Sequence, residues 1–483
     1  MLSALILIPL VSAVIIGLIP IKGKSIRNLA LVTATVVLII NVALSWQFDF
    51  LQEGFQFDRD IPWIEWIGLN YHVGIDGLSF PLVLLNSLLT LIAIVATSPT
   101  IQRPRLYYAM LFLLSAGAAG AFLAQDLLLF FLFYELEIVP LYFLIAIWGG
   151  KRRGYAAMKF LLYTALSGIL VLASFLGLVW LTGESTFDYS VLRSHTLPLG
   201  SQLWLLAPLL IGVFIKIPIF PFHTWLPDAH VEASTPISVL LAGVLLKLGT
   251  YALLRFGVGL FLEGWVYLAP WLAILAAISA LYGASCAIAQ TDMKKVVAYS
   301  SIAHMAYILL AATATTRLSM TAAVFQMVSH GLISAFLFLL VGMVYNKTGS
   351  RDVNYLRGLL NPERGLPVTG GMMILGVMAS SGLPGMVGFI SEFLVFRGSF
   401  PIFPIPTLLC LVGTGLTAVY FLLVINKVFF GRLTESLSQL PPVQWKEHAP
   451  AFVLLLLIIA FGIKPDWVTH WSEVQAIALL TGG

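Results

Sequence analysis

Glu135, Lys216, Lys247 and Glu392 each stand inside a long apolar run of this chain. A charged side chain at mid-bilayer costs about 3 kcal/mol even on insertion scales, so such residues mark ion or proton routes by default. Two of the runs are also broken beside the charge, at Lys216-Ile217-Pro218 and at Gly382-Leu383-Pro384-Gly385. Burial disfavours the charged form of a carboxylate or an ammonium, whereas an opposite charge nearby favours it. A buried Glu–Lys pair that opens and closes therefore takes up and releases a proton. The alternative is a static ion pair that locks two helices, since structural networks perturb titration as well.

Glu137 lies two residues beyond Glu135, about 200° around a regular helix. Both carboxylates then cannot face one partner, and Glu135 is preferred as the acid, with Pro140 freeing the carbonyl of Leu136 beside it. Lys216 and Lys247 sit too deep to reach the interface, so they are the candidate proton carriers. Lys159 and Lys427 stand near helix ends, where long side chains snorkel. Lys294 and Lys295 open a helix and read as topological anchors. His330, followed by Gly331, and His304 lie in apolar spans and can relay protons, because imidazole titrates near neutrality. His304 serves equally well as a hydrogen-bonded packing residue. His223 and His230 flank Pro227-Asp228; their spacing matches no common ligand pattern, so no metal site is expected and both are placed at a channel mouth.

The elements that must hold these groups are membrane helices. Of the 483 residues 60% are hydrophobic and 10% charged, with mean hydropathy +0.98, a ratio no water-facing globule sustains. The apolar runs predict about fourteen transmembrane helices, near 2–20, 28–46, 77–98, 106–123, 127–147, 156–181, 203–226, 236–258, 266–288, 295–314, 319–345, 368–396, 404–428 and 449–463. The fold class is an all-α polytopic membrane protein, one domain over 1–483. Residues 1–20 lack a basic start and a small-residue cleavage site, so they read as a retained first helix. Cys286 and Cys410 form no CxxC pair, which excludes an iron–sulfur or zinc cage built from cysteine.

Sorted by this alternation, sixteen of the 26 lysines and arginines share one face, among them Lys22, Arg152, Lys347 and Arg351. Five share the other: Arg59, Arg193, Arg317, Arg397 and Lys464. The positive-inside rule makes the basic face cytoplasmic or stromal and puts both termini opposite it. The acidic, tryptophan-bearing segment 48–76 reads as an interfacial loop on the less basic face. Segments 350–366 and 433–448 read as polar loops on the basic face.

Pro218, Pro221 and Pro227 each remove a helical hydrogen bond within one span, and such losses are tolerated only beside protein or water. The two broken spans are the seventh and twelfth, five helices apart. A five-helix unit repeats with inverted topology, so 106–258 and 265–430 are expected as an inverted pair with the site at discontinuous helices. There is no GxxxxGK[ST], no GxGxxG opening a helix and no HExxH, so neither nucleotide nor redox centre is expected in this chain.

Phe133-Tyr134-Glu135-Leu136-Glu137-Ile138-Val139-Pro140, Phe214-Ile215-Lys216-Ile217-Pro218, His223-Thr224-Trp225-Leu226-Pro227-Asp228-Ala229-His230 and Phe389-Ile390-Ser391-Glu392-Phe393 resemble the antiporter-like membrane subunits of complex I. The likeness covers nearly the whole chain and is greatest to the chain 4 branch of the cyanobacterial and chloroplast NAD(P)H–quinone (plastoquinone) oxidoreductases. It implies a proton-translocating subunit with Glu135, Lys216, Lys247, His330 and Glu392 on the proton path. A glutamate rather than a lysine at 392 favours the chain 4 branch. The implied partners are sister antiporter-like chains, small helical subunits and peripheral electron-transfer subunits, with lipid around them and no nucleic acid. Plastoquinone and iron–sulfur clusters would belong to those partners, and the implied location is a thylakoid membrane with lumenal termini. Gly149-Gly150-Lys151-Arg152-Arg153-Gly154-Tyr155 also resembles the variant of CO2-uptake complexes, where a partner subunit would hydrate CO2. Two other functions stay open at this stage: a subunit of a multi-component sodium/proton antiporter, and a passive scaffold.

Overall fold

The computed structural model describes residues 1–18, 23–434, 437 and 440–480. Residues 19–20 of the first expected span, and Lys22 of the basic set, lie outside the described residues, as do 435–436 and 438–439 of the expected 433–448 loop. Eleven described helices are long and apolar enough to cross a membrane, and Leu2–Leu18, Phe80–Ala96 and Pro367–Ser380 are shorter apolar helices. Helix is what hydrocarbon demands, because each backbone group must find its partner inside the segment.

The helices differ in what they touch. Arg153–Thr182 and Pro404–Val428 turn Leu162, Ile169, Leu411 and Leu422 outward. Thr235–Val258, Met293–Ala314 and Arg317–Thr348 are almost wholly enclosed by other helices. Lys247, His304 and His330 are carried by this inner set, away from lipid. That enclosure is the condition under which a charge survives in a bilayer.

The seventh span runs as Leu199–Lys216, a non-helical stretch, and Trp225–Glu232. Its orphaned carbonyls are recovered locally: Ile219 N–H donates to Phe214 O (3.0 Å), Leu226 N–H to His223 O (3.0 Å), and Trp225 Nε1–H to Ile215 O (2.8 Å). The twelfth divides into Pro367–Ser380 and Val387–Ser399, with Gly382 and Gly385 in the left-handed region between them. There glycine avoids the penalty any Cβ would incur.

Four features depart from the sequence reading. Pro140 does more than free one carbonyl: helical bonding lapses at Glu137, between Leu127–Leu136 and Ile138–Trp148. The eighth span contains two π-helical turns, Leu241–Leu245 and Leu253–Val258, which no residue pattern announced. The 48–76 segment is a β-hairpin rather than a plain loop, with Gln56–Ile64 antiparallel to Leu69–Ile75. Beyond the last predicted span an additional helix, Asp466–Leu480, packs against the bundle.

Loop contacts fall into two sets. Hairpin residue Gly68 accepts from Phe187 N–H, Asn70 N–H donates to Asp126, Arg193 reaches Ala478 O, and Arg317 pairs with Glu473 at 2.8 Å. On the other side Gly150 N–H donates to Glu232 O, Arg351 to Val231 O, and Lys347 pairs with Glu447 at 2.9 Å. Arg193 and Arg317 fall in the first set, and Arg351 and Lys347 in the second. Lys294 departs from its anchoring role: it is buried, and its Nζ donates to Ala233 O at 2.5 Å. Lys159 pairs with Asp228 at 2.7 Å.

The hairpin is clamped by His72, whose Nδ1 meets Asp188 Oδ2 at 2.6 Å and whose Nε2 meets Asp58 Oδ1 at 2.9 Å. Burial alone would lower the His72 pKa, but the Asp188 hydrogen bond and the charges of both aspartates outweigh it and raise the value to about 9. At Asp188 burial would raise the carboxyl pKa, but the same bond, the Val191 and Ser190 N–H bonds and the His72 charge together outweigh it and hold the carboxyl below the usual range. A raised folded pKa stabilises fully below the ordinary histidine value and is lost as pH climbs through about 9. The aspartate's share is present above its unfolded pKa and is lost as pH falls through its lower folded one. Limited proteolysis of the 183–195 segment is therefore expected to accelerate above pH ~9 and again in acid, and His72→Gln is expected to erase the alkaline limb.

Candidate functional site

Of the two acids of the fifth span, Glu137 is the one that meets Lys216. Glu137 forms a closely contacting ion pair with Lys216, the last residue before the seventh-span break, and both side chains are buried. Glu135, preferred from the sequence, makes no ion pair among the described residues; it lies against Gly168, with Oε1 buried and lacking a hydrogen-bond partner. Glu137 keeps α-region dihedrals, so the two carboxylates stay on different sides of the helix, and it is Glu137 whose side pairs with Lys216. As partner of Lys216, Glu137 therefore replaces Glu135. Lys216 Nζ also stands 4.3 Å from the centre of the Tyr134 ring, and Tyr134 OH meets Ser167 Oγ at 3.0 Å. An isolated ion in such a place costs several kcal/mol, which only a close counter-charge and oriented dipoles offset.

A second group lies in the inner helices. Lys247 Nζ donates to Ala242 O (2.6 Å) within the first π turn and meets His330 Nδ1 at 2.7 Å. His330 and His304 lie with ring centres 5.9 Å apart. His304 Nε2 meets Glu392 Oε1 at 3.3 Å and Ser380 O at 3.2 Å, while its Nδ1 meets Ser300 O at 2.7 Å. Ser380 is the last helical residue before the twelfth-span break, so the interruption supplies the carbonyl that orients His304. Two nitrogens held by carbonyls and a carboxylate make His304 a member of the site, beyond the packing role open to it from sequence.

A cavity of about 10 Å³ lies among His304, His330, Gln326, Ser329 and Glu392. That is room for one water, which needs two to four polar partners. His330 Nε2, Gln326 Oε1 and Glu392 Oε2 are buried there without a hydrogen-bond partner among the described residues. One water would accept from His330 Nε2–H and donate to Glu392 Oε2 and Gln326 Oε1.

No side-chain hydrogen bond joins Lys216 to Lys247 among the described residues; the two helices meet at Gly249, two positions after Lys247. A Cβ there would lie 3.1 Å from both Lys216 Cβ and Ile217 N. Gly331 does the same for the other crossing: its Cβ would lie 2.6 Å from Leu85 Cδ2 and 3.0 Å from Gly243 O. His223 packs near Phe220 and Tyr282, and His230 stacks on Phe338 at 4.4 Å; neither hydrogen-bonds to the line. No group of three His, Cys, Asp or Glu that could hold a metal occurs among the described residues.

Residues 124–417 match the family described as "NADH:quinone oxidoreductase/Mrp antiporter, TM". The chain is 42% identical to the NAD(P)H-quinone oxidoreductase chain 4 3 of Trichormus variabilis, covering 99% of this chain and 91% of that one. It superposes on a chain of respiratory complex I from Thermus thermophilus with TM-score 0.89 at 28% identity, covering both chains fully. A chain of the Mrp complex from Dietzia sp. shares the fold, with TM-score 0.89 at 20% identity over 99% of this chain and 98% of that one.

Proposed function

The chain belongs to the NADH:quinone oxidoreductase/Mrp antiporter membrane family, and from that premise we propose that its buried Glu137–Lys216 pair and Lys247–His330–His304–Glu392 series form one proton line. It is an antiporter-like, proton-translocating subunit of an NAD(P)H–quinone oxidoreductase, and the redox chemistry belongs to partner subunits. Within that role, Lys216 holds a proton against Glu137 while the pair is closed. When the pair opens, the lysine is a buried ion without a counter-charge and releases its proton toward Lys247. Lys247 passes it to His330, and the imidazoles relay it to Glu392. Glu135 stands near the first pair as a further acid.

One observation carries this reading. Two interrupted helices deliver Lys216 and the Ser380 carbonyl to opposite ends of a series of buried titratable groups, and His304 and His330 share a water-sized polar cavity. The inner groups lie within the hydrogen-bond or single-water reach that proton transfer needs, and the step from Lys216 to Lys247 is read as crossing the helix contact at Gly249. The two interruptions are read as belonging to inverted five-helix units over 106–258 and 265–430. The cyanobacterial origin of the relatives supports a thylakoid membrane, and the arginine and lysine division supports lumenal termini.

Purification of the native assembly tests the reading against the sodium/proton antiporter. Iron–sulfur and plastoquinone-site subunits are expected to co-migrate with this chain, and quinone reduction in proteoliposomes is expected to drive proton uptake at unchanged rate without sodium. Loss of those partners, or a strict sodium requirement, contradicts it. A CO2-hydrating subunit among the partners would assign the chain to the CO2-uptake branch.

A further inference from the structure

We propose that the cavity at the basic-face ends of the Gly23–Ser45, Phe80–Ala96 and Trp445–Ile463 helices is a binding site for an anionic phospholipid, separate from the proton line. Its volume is about 580 Å³, and its lining includes Arg27, Thr97, Tyr107, Ser234, Lys347 and Lys446. That volume falls in the range of sites that hold a ligand rather than scattered water, roughly 300–1,000 Å³.

The charge balance points to an anion. Lys347 is paired with Glu447, the one acid in the lining, at 2.9 Å. Arg27 donates from Nη2 to Val95 O at 3.2 Å, makes no ion pair among the described residues, and has a buried Nε without a hydrogen-bond partner. Lys446, also in the lining, likewise makes no ion pair among the described residues. Ser234 adds a further buried hydroxyl to the lining, beside the Tyr107 phenol. An arginine fork and a lysine without counter-ions, beside hydroxyls, match the oxygens of a phosphodiester.

Depth and the neighbouring surface point to a lipid. The lining residues sit at the ends of helices that cross the membrane, which is headgroup level for a bilayer. Below them the Trp445–Ile463 helix turns Val453 and Leu456 outward, with Val453 on the same face as Lys446. These give acyl chains an apolar surface next to the cationic cavity. Basic pockets between transmembrane helices on the cytoplasmic side bind anionic headgroups in this way.

The test uses the intact native assembly, delipidated and re-equilibrated with vesicles of phosphatidylglycerol or of phosphatidylcholine, with retained lipid counted by native mass spectrometry. Phosphatidylglycerol is expected to be retained in preference. Arg27→Gln/Lys446→Gln is expected to weaken retention about fivefold per charge removed, the equivalent of about 1 kcal/mol each near a membrane surface. Arg27→Lys/Lys446→Arg, which keeps the charge, is expected to retain the lipid and shows that the site remains folded. Equal retention of the two lipids, no effect of the double glutamine variant, or full displacement by millimolar inorganic phosphate would overturn the proposal, the last by assigning the site to a free anion.

Discussion

Glu137→Gln is expected to cut proton translocation through this chain by at least ~100-fold, because it strands Lys216 as a buried cation. Breaking a buried pair by removing one partner costs about 3–5 kcal/mol, and a factor of ten is worth about 1.4. The lysine escapes that cost by losing its proton, after which it has none to pass on. Assembly is expected to persist, since glutamine keeps the shape of the side chain. Glu135→Gln is the internal comparison. Glu135 makes no ion pair among the described residues, so its loss is expected to slow translocation by about an order of magnitude or less, below the ~10²–10⁴ span typical of positioned proton-transfer groups. Proton uptake coupled to quinone reduction in proteoliposomes separates the two. A larger loss for Glu135→Gln than for Glu137→Gln contradicts the geometry.

Lys247→Met is expected to be the second large loss. It removes the group at the head of the inner series, where Lys247 meets both the π-turn carbonyl of Ala242 and His330 Nδ1. Methionine fills similar space without a charge, so the enclosing helices keep their packing. Translocation is expected to fall by ~100-fold or more, as when a positioned proton carrier is removed. His330→Leu alone is expected to fall nearly as far. The double variant is expected to be no worse than either single, because residues that act as one unit are not additive. Independent, multiplying losses would show that Lys247 and His330 work apart.

Much of this site was legible in the residues, for a physical reason. Hydrocarbon penalises charge and unpaired backbone so heavily that Lys216, Lys247, Glu392 and the proline and glycine breaks stand out without any coordinates. The partner of Lys216 was not legible, because which side of the fifth span faces the seventh depends on how two helices distant in sequence pack. The π turns around Lys247 were equally hidden: Leu241–Leu245 and Leu253–Val258 consist of residues that a regular helix accepts as readily. The hairpin escaped notice because Pro62 and alternating charges in 56–64 obscure the strand pattern. His304 could have been ranked higher from its spacing in an enclosed span, but its attachment to Glu392 depends on two helices distant in sequence.

Infrared difference spectroscopy of the turning-over complex tests the continuity of the line most directly. The carboxyl band of Glu392, identified by its disappearance in Glu392→Gln, is expected to change on quinone reduction. That change is expected to vanish in Glu137→Gln, whose substitution lies at the far end of the series. A Glu392 band that responds fully while Glu137 is neutralised would contradict a single connected path.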